Sequence, residues 1–385
     1  MQKNSLTLGV DASNIRLGGG VTHLIELFSH FNLSHSSFEK IIVWGGQETL
    51  SAIPHFPWLI KFNPNFLNKN LFFRTFWQIF FLRAEFFRNK CSVLFVPGGV
   101  FFHGDIPAVV MSQNLLPFEP AEVRRYGVSL RRLKFILLKK IQISSFKKAR
   151  GIIFLTEYAK NVVLNSFKEK INSYQIISHG IAEKFINNSG SFFLTNGELG
   201  KKIPLKIIYV SNIDFYKHQT EVLKGLHILR KEGYSIEITF IGPAIPVALD
   251  ALTKVIIKYN AKEWAIYLGK VDYEKMASYY SQADIAIFAS SCETFGIILL
   301  EKMASRLPVA CSDRSSMPEI LENGGIYFDP ENPISIANAV RRYIVSPELR
   351  LEKQKICQFL IQEYSWKKCA EKTFSFLEQV SLLKI

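Results

Sequence analysis

Nowhere in the 385 residues do eighteen uncharged apolar residues run together, so no transmembrane helix is expected. Cysteine is sparse: Cys91, Cys292, Cys311, Cys357 and Cys369 are an odd number with no C-x-x-C spacing. That excludes a disulfide framework or a zinc knuckle and points to a reducing compartment. No Asp-x-Asp and no His/Asp cluster occurs, so no metal and no cofactor are expected. The opening MQKNSLTLGVDAS has no apolar core of the kind that directs secretion, which fits a cytoplasmic protein. The chain also lacks G-x-G-x-x-G and P-loop signatures, which excludes the commonest phosphate-binding loops.

What is present is a hydrophobic content of 48%, incompatible with a disordered chain, in a length that suits two domains. The net charge of +14 is unevenly placed. Residues 1–180 hold 22 Lys and Arg against 10 Asp and Glu, whereas the remainder holds 25 against 23. The first half therefore faces an anionic partner.

The organising stretch is 283–319. The apolar run Ile285 to Ala289 predicts a buried strand, Ser290 to Thr294 a polar loop, 296–305 a helix, and 307–311 a second strand. That is a parallel βαβ unit, and such sheets bind ligands beyond the carboxyl ends of their strands. Glu293 falls in that loop and Glu301 on the helix. The N–H groups of Thr294, Phe295 and Gly296 are expected to open a helix N-terminus suited to an anion. The plainer reading makes Glu301 a solvated helix residue and Glu293 a loop charge. Carboxylates flanking an anion site suit a ligand with hydroxyls at both ends and phosphates between, which describes a nucleotide-sugar.

The run S-x-x-E-T-F-G-I-x-L-L-E-x-M-A, with Glu293 and Glu301 as its acids, is followed by P-V-A-x-S and M-P-E-I. It resembles the donor-site signature of the family-four glycosyltransferases of the GT-B fold, the group 1 enzymes of bacterial polysaccharide and O-antigen synthesis. The resemblance implies two Rossmann-like, doubly wound α/β domains facing each other across a cleft. It implies hexosyl transfer from a GDP- or UDP-sugar with retention at the anomeric carbon. It assigns Glu293 to hydroxyls of the transferred sugar and Glu301 to the ribose. Lys217 matches the family's diphosphate-binding lysine, while Asn212 stands where an arginine is usual. Gly19 and Gly20 match an N-terminal glycine loop that lies against the diphosphate; by spacing alone that loop reads rather as a tight turn before a helix from Val21. The family's usual His-Asp pair is replaced by Gln113 and Asn114. His179 either lines the acceptor side or caps a strand.

Alternating strand and helix patterns place strands at 6–11, 40–44, 92–96, 108–112, 151–155 and 174–178, then at 206–210, 236–241 and 265–268. The turn-rich stretch 187–204 is the expected linker. This divides the chain into an acceptor-binding domain over 1–190 and a donor-binding domain over 200–366, with a helix over 367–385 returning to the first, as the resemblance implies.

Two segments of the first half look built for a surface. Residues 66–90 carry nine aromatics among Arg74, Arg83, Arg88 and Lys90, a pattern that also fits a core helix. Residues 124–150 carry ten Lys and Arg and no acid, with Leu133, Ile136, Leu137 and Ile141 at helical spacing. A lipid-linked saccharide acceptor at the anionic inner face of the plasma membrane accounts for both; no nucleic acid is expected, because no binding motif accompanies the charge. The competing readings are a non-catalytic or nucleic-acid-binding pair of Rossmann-like domains, and a nucleotide-sugar epimerase of the same fold.

Overall fold

Thirteen strands among the described residues, five of them buried along their whole length, set the architecture in a computed structural model of the chain. The structure describes residues 6–16, 18–167, 171, 173–187, 200 and 203–383. The expected linker therefore lies mostly outside the described residues. Contact clustering divides the chain into two compact units. One comprises Met1–Glu119, Val128–Gly180 and Ser365–Ile385, and the other Pro120–Gly127 and Ile181–Tyr364.

The first unit is built on a seven-stranded parallel sheet in the order β3-β2-β1-β4-β5-β6-β7. Its strands are β1 (Leu6–Ala12), β2 (Phe38–Gly45), β3 (Leu59–Phe62), β4 (Val93–Val96), β5 (Ala108–Met111), β6 (Gly151–Phe154) and β7 (Tyr174–Ile176). β4, β5 and β6 are short apolar runs with every residue buried, the pattern of a sheet covered on both faces. β3 carries no such run and was not anticipated; its half-exposed edge sequence LIKF hides it. The helix Trp366–Leu382 packs on this unit. Glu378 Oε1 accepts from Ser36 Oγ and the Ser37 N–H, both at 2.6 Å, and the Phe374 ring lies tilted against that of Phe31, 4.4 Å between centroids.

The second unit holds a six-stranded parallel sheet in the order β10-β9-β8-β11-β12-β13. Its strands are β8 (Leu205–Val210), β9 (Ile236–Ile241), β10 (Ala265–Tyr267), β11 (Ile285–Phe288), β12 (Val309–Ser312) and β13 (Gly325–Phe328). The strand expected at 307–311 begins two residues later, because Pro308 has no N–H for the ladder and its carbonyl accepts from Ala286.

The boundaries of the two units differ from the expected ones. The first stops at Gly180 rather than near 190, and Pro120–Gly127 joins the second. Tyr126 explains the latter: its hydroxyl donates to Asp214 Oδ1 at 2.7 Å, and Arg125 pairs with Glu331. Both sheets reverse strand order once, between β1 and β4 in the first and between β8 and β11 in the second. Such switch points leave a crevice at the carboxyl ends of the two diverging strands.

Candidate functional site

At the switch point of the second sheet, the loop after β8 runs from Ser211 to His218 and the loop after β11 from Ala289 to Gly296. Asp214 caps the short turn Phe215–Lys217, accepting the Phe215 N–H at 2.8 Å. His218 follows in a left-handed conformation (φ 51°), which turns the chain into the helix Gln219–Lys231. The two loops are laced together. Ser291 N–H donates to Tyr216 O at 2.9 Å, His218 Nε2 lies 2.8 Å from Ser291 Oγ, and the Ala289 N–H donates to Tyr209 Oη at 3.2 Å.

This lacing brings Lys217 Nζ onto Glu293 Oε1 in an ion pair that is 4% exposed on the lysine and 17% on the glutamate. The ammonium also lies 4.8 Å from the Tyr216 ring centroid. Burial works against the Lys217 charge, but the Glu293 carboxylate and Tyr216 outweigh it, and its pKa stands above the ordinary lysine value. Glu293 is held from the other side. Its N–H donates to Ser315 Oγ at 2.9 Å, and its carbonyl accepts from Ser315 Oγ at 2.9 Å and Ser316 Oγ at 3.1 Å.

The helix after this loop begins one residue later than expected, at Ile297, with Gly296 as its cap at φ 84°. Its first-turn amides are therefore those of Ile297, Ile298 and Leu299. Thr294, Phe295 and Gly296 form the turn that aims them, because the left-handed cap needs a residue without a Cβ. Asn212 is half-buried at the end of β8, and its carbonyl accepts from Ser211 Oγ and Gln219 Nε2, both at 2.9 Å.

Glu301 lies on the inner face of the same helix, buried, and accepts from Tyr280 Oη at 2.9 Å. It is not a solvated surface residue. Burial raises its pKa, opposed by the Tyr280 hydrogen bond and the Lys302 charge. Lys302, which the sequence reading passed over, is fully buried. Its Nζ donates to Val210 O at 3.3 Å and sits 4.6 Å from the Phe288 ring. Burial lowers its pKa against the pull of Glu301. The signal for it was only its place beside Glu301 in an otherwise apolar helix.

The other sequence-predicted residues belong to the first unit. Gly19 and Gly20 open the helix Gly19–Ser29, two residues earlier than expected, and the left-handed cap is Gly18 (φ 71°). Gly20 approaches the Gln113 side chain, and Gln113 Nε2 lies 3.2 Å from Met111 Sδ. Asn114 Oδ1 accepts the Leu116 N–H at 3.2 Å, a local turn. His179 is buried, with its Nδ1 3.2 Å from His23 Nδ1 and its ring 5.3 Å from Trp366. The ring is committed to packing inside the unit. His23, His179 and Cys369 place their ligand atoms within 4.8 Å of one another, the candidate metal group among the described residues. The imidazoles bond each other and Cys369 bonds Thr373, so each of the three already has a protein partner.

The two surface segments differ from a core reading. The helix Leu71–Phe80 buries only Trp77 and Gln78, while Phe72 is 72% and Phe80 63% exposed. The helix Leu130–Lys148 buries Phe135, Gln142, Ser145 and Phe146 and exposes Leu133, Ile136, Leu137 and Ile141 among its basic residues. Arg125 drops out of the basic surface, since it pairs with Glu122 and Glu331. No described helix is long and apolar enough to cross a membrane.

Two parallel sheets, each with one switch point and the second with an acid–lysine pair at it, define the GT-B class of α/β protein. Residues 196–358 match the family model described as Glycosyl transferases group 1. O-antigen chain mannosyltransferase B of Escherichia coli is 26% identical over 126 residues, which is 33% of this chain and 33% of that protein. The chain thus matches about a third of that relative's length. Sucrose-phosphate synthase from Thermosynechococcus elongatus superposes with a TM-score of 0.76 at 15% identity, over 97% of this chain and 99% of the other. The Anabaena protein HepE, solved in complex with UDP and glucose, gives 0.71 at 15% identity, over 98% of this chain and 100% of the other. At such identities the likeness to the solved structures is one of fold.

Proposed function

We propose that the protein is a retaining, metal-independent glycosyltransferase that moves a hexose from a GDP- or UDP-sugar to a lipid-linked saccharide in cell-surface polysaccharide synthesis. The observation that carries this reading is the Lys217–Glu293 pair at the β8/β11 switch point, with the amide end of the helix Ile297–Ala304 beside it. The donor diphosphate gives Lys217 a second anionic partner, and the helix amides add partial positive charge. Both act on charge that grows as the nucleoside diphosphate departs, which is where electrostatic stabilisation lowers a barrier. Glu293 holds hydroxyls of the departing sugar, and Glu301, oriented by Tyr280, holds the ribose. Lys302 adds a buried basic group behind the pair. The first unit receives the acceptor, with the exposed aromatic and basic helices lying on the anionic inner face of the plasma membrane.

The relatives and the fold support the donor class, and the exposed Phe72, Phe80, Leu133 and Leu137 support the membrane. Labelled GDP- and UDP-sugars incubated with the protein and a bacterial membrane extract should yield labelled lipid-linked product in the presence of chelator. Product that disappears with chelator overturns the metal-free mechanism. Turnover of a nucleotide-sugar without any acceptor favours the epimerase instead.

A further inference from the structure

The switch point of the first sheet, between β1 and β4, gathers polar side chains that donor binding does not use. Gln78, on the helix Leu71–Phe80, reaches under the loop after β1 and donates to Asp11 Oδ2 at 2.6 Å. Asn14 Nδ2 donates to Gln78 Oε1 at 2.9 Å, and Gly98, in the loop after β4, brings its backbone against the Asn14 side chain. Arg74, one turn before Gln78, donates from Nη1 to Ser13 O at 3.3 Å. Arg16 donates from Nη2 to Leu67 O and, at 3.1 Å, to Lys69 O.

Two things are left over in this group. The guanidinium groups of Arg16 and Arg74 are close enough to repel, and among the described residues neither pairs with an acid. Asp11 is buried, and its two carboxylate oxygens accept from the Ser13 N–H at 3.0 Å and from Gln78 Nε2 at 2.6 Å rather than from either guanidinium. In addition, Arg74 Nε and Asn14 Oδ1 are buried atoms with no hydrogen-bond partner. Unpaired like charges and orphaned polar atoms each raise the free energy of the ligand-free protein. A single ligand relieves both: an anion takes the guanidinium forks and a neighbouring hydroxyl donates to Asn14 Oδ1.

We propose that Arg16, Arg74 and Asn14 form a subsite for the phosphate and adjoining sugar hydroxyl of a phosphate-linked saccharide carried on a membrane lipid. The proposal rests on the glycosyltransferase reading and names its acceptor class. The same helix argues for the lipid. Arg74 and Gln78 face the β1 loop, while Phe72 and Phe80 on the helix stand in solvent, so one element presents a phosphate site and an apolar face together.

The test uses the full chain and vesicles of neutral phosphatidylcholine doped with a polyprenyl diphosphate, against vesicles of matched charge doped with phosphatidylglycerol. UDP and GDP titrations run in parallel. Arg16→Gln with Arg74→Gln should bind the polyprenyl diphosphate vesicles roughly ten-fold more weakly, bind phosphatidylglycerol vesicles as the parent does, and keep its nucleotide affinity. Arg74→Lys, which keeps the charge and loses the fork, should fall between. Equal loss on both vesicle types assigns the effect to surface charge and overturns the subsite. Loss of nucleotide affinity with vesicle binding intact gives the two arginines to the donor instead. Competition by glucose 1-phosphate without binding to the doped vesicles overturns the lipid. A parent protein that binds nucleotide but no polyprenyl diphosphate refutes the subsite alone, whereas one that binds no nucleoside diphosphate refutes the glycosyltransferase reading beneath it.

Discussion

Lys217 and Glu293 carry two different free energies, one in folding and one in catalysis. Removing one partner of a buried pair leaves an uncompensated charge, which costs about 3–5 kcal/mol in dry sites. Glu293 keeps some solvent contact, so Glu293→Gln should lower stability by roughly 2 kcal/mol while losing most transfer activity. Lys217→Met combined with Glu293→Gln should regain much of that stability and none of the activity. Denaturant midpoints and turnover of the three variants check this; parallel loss of both quantities in every variant would mean the pair is structural only. His218 offers a pH test. Burial, with help from Arg125, pushes its pKa down to about 4, so the native state holds it neutral while the unfolded chain protonates it below about 6.5. The unfolded state then binds more protons, and His218 should make stability fall as pH drops from about 6.5 towards 4. His218→Asn should flatten that part of the curve in a series of melts, and an unchanged slope would reject the assignment.

At the scale of elements, the helix Ile297–Ala304 owes its position to Gly296. At φ 84° a Cβ is strained, and there it would come within 2.8 Å of Met317 Cε. Gly296→Ala should therefore cost about 1–3 kcal/mol, read from urea unfolding, and should misplace the first-turn amides, read as weaker binding of UDP or GDP. An alanine variant as stable as the parent would show that the turn tolerates a side chain. The helix is apolar nearly all round because it is enclosed on nearly all sides, and Glu301 and Lys302 are the exceptions its neighbours accommodate. Tyr280 takes one, and Val210 O with the Phe288 ring takes the other. On the helix Leu130–Lys148 the proportions are reversed, with a narrow buried stripe and wide basic and apolar faces left outside.

For the whole molecule, the charge asymmetry and the exposed aromatic surface predict where it works. The protein should sediment with liposomes containing anionic lipid and leave them as salt rises, because the attraction is screened over about 8 Å at physiological ionic strength. Replacing Arg131, Arg132, Lys139 and Lys140 with glutamine should weaken that binding by about 1 kcal/mol for each base near the surface, with nucleotide affinity unchanged. Equal sedimentation with neutral and anionic liposomes, or no effect of the four substitutions, would refute the membrane placement.

Fully covered parallel strands were legible because they are continuous apolar runs, and β4, β5, β6 and β11 are of that kind, whereas the half-exposed edge strand β3 was not. The Glu293–Glu301 block was legible because a helix and its preceding loop fix local spacing. The linear chain left undecided whether Glu301 meets solvent, that Lys302 is buried, and that Arg125 is drawn into ion pairs with Glu122 and Glu331. It also left undecided that Phe72 and Phe80 face outward while Trp77 is buried, and that Arg74 comes to lie against Ser13, sixty-one residues away. Each of these depends on what packs against a side chain from a distant segment. Periodicity states which residues share a face; only the tertiary contacts decide whether that face meets water, a partner charge or the core.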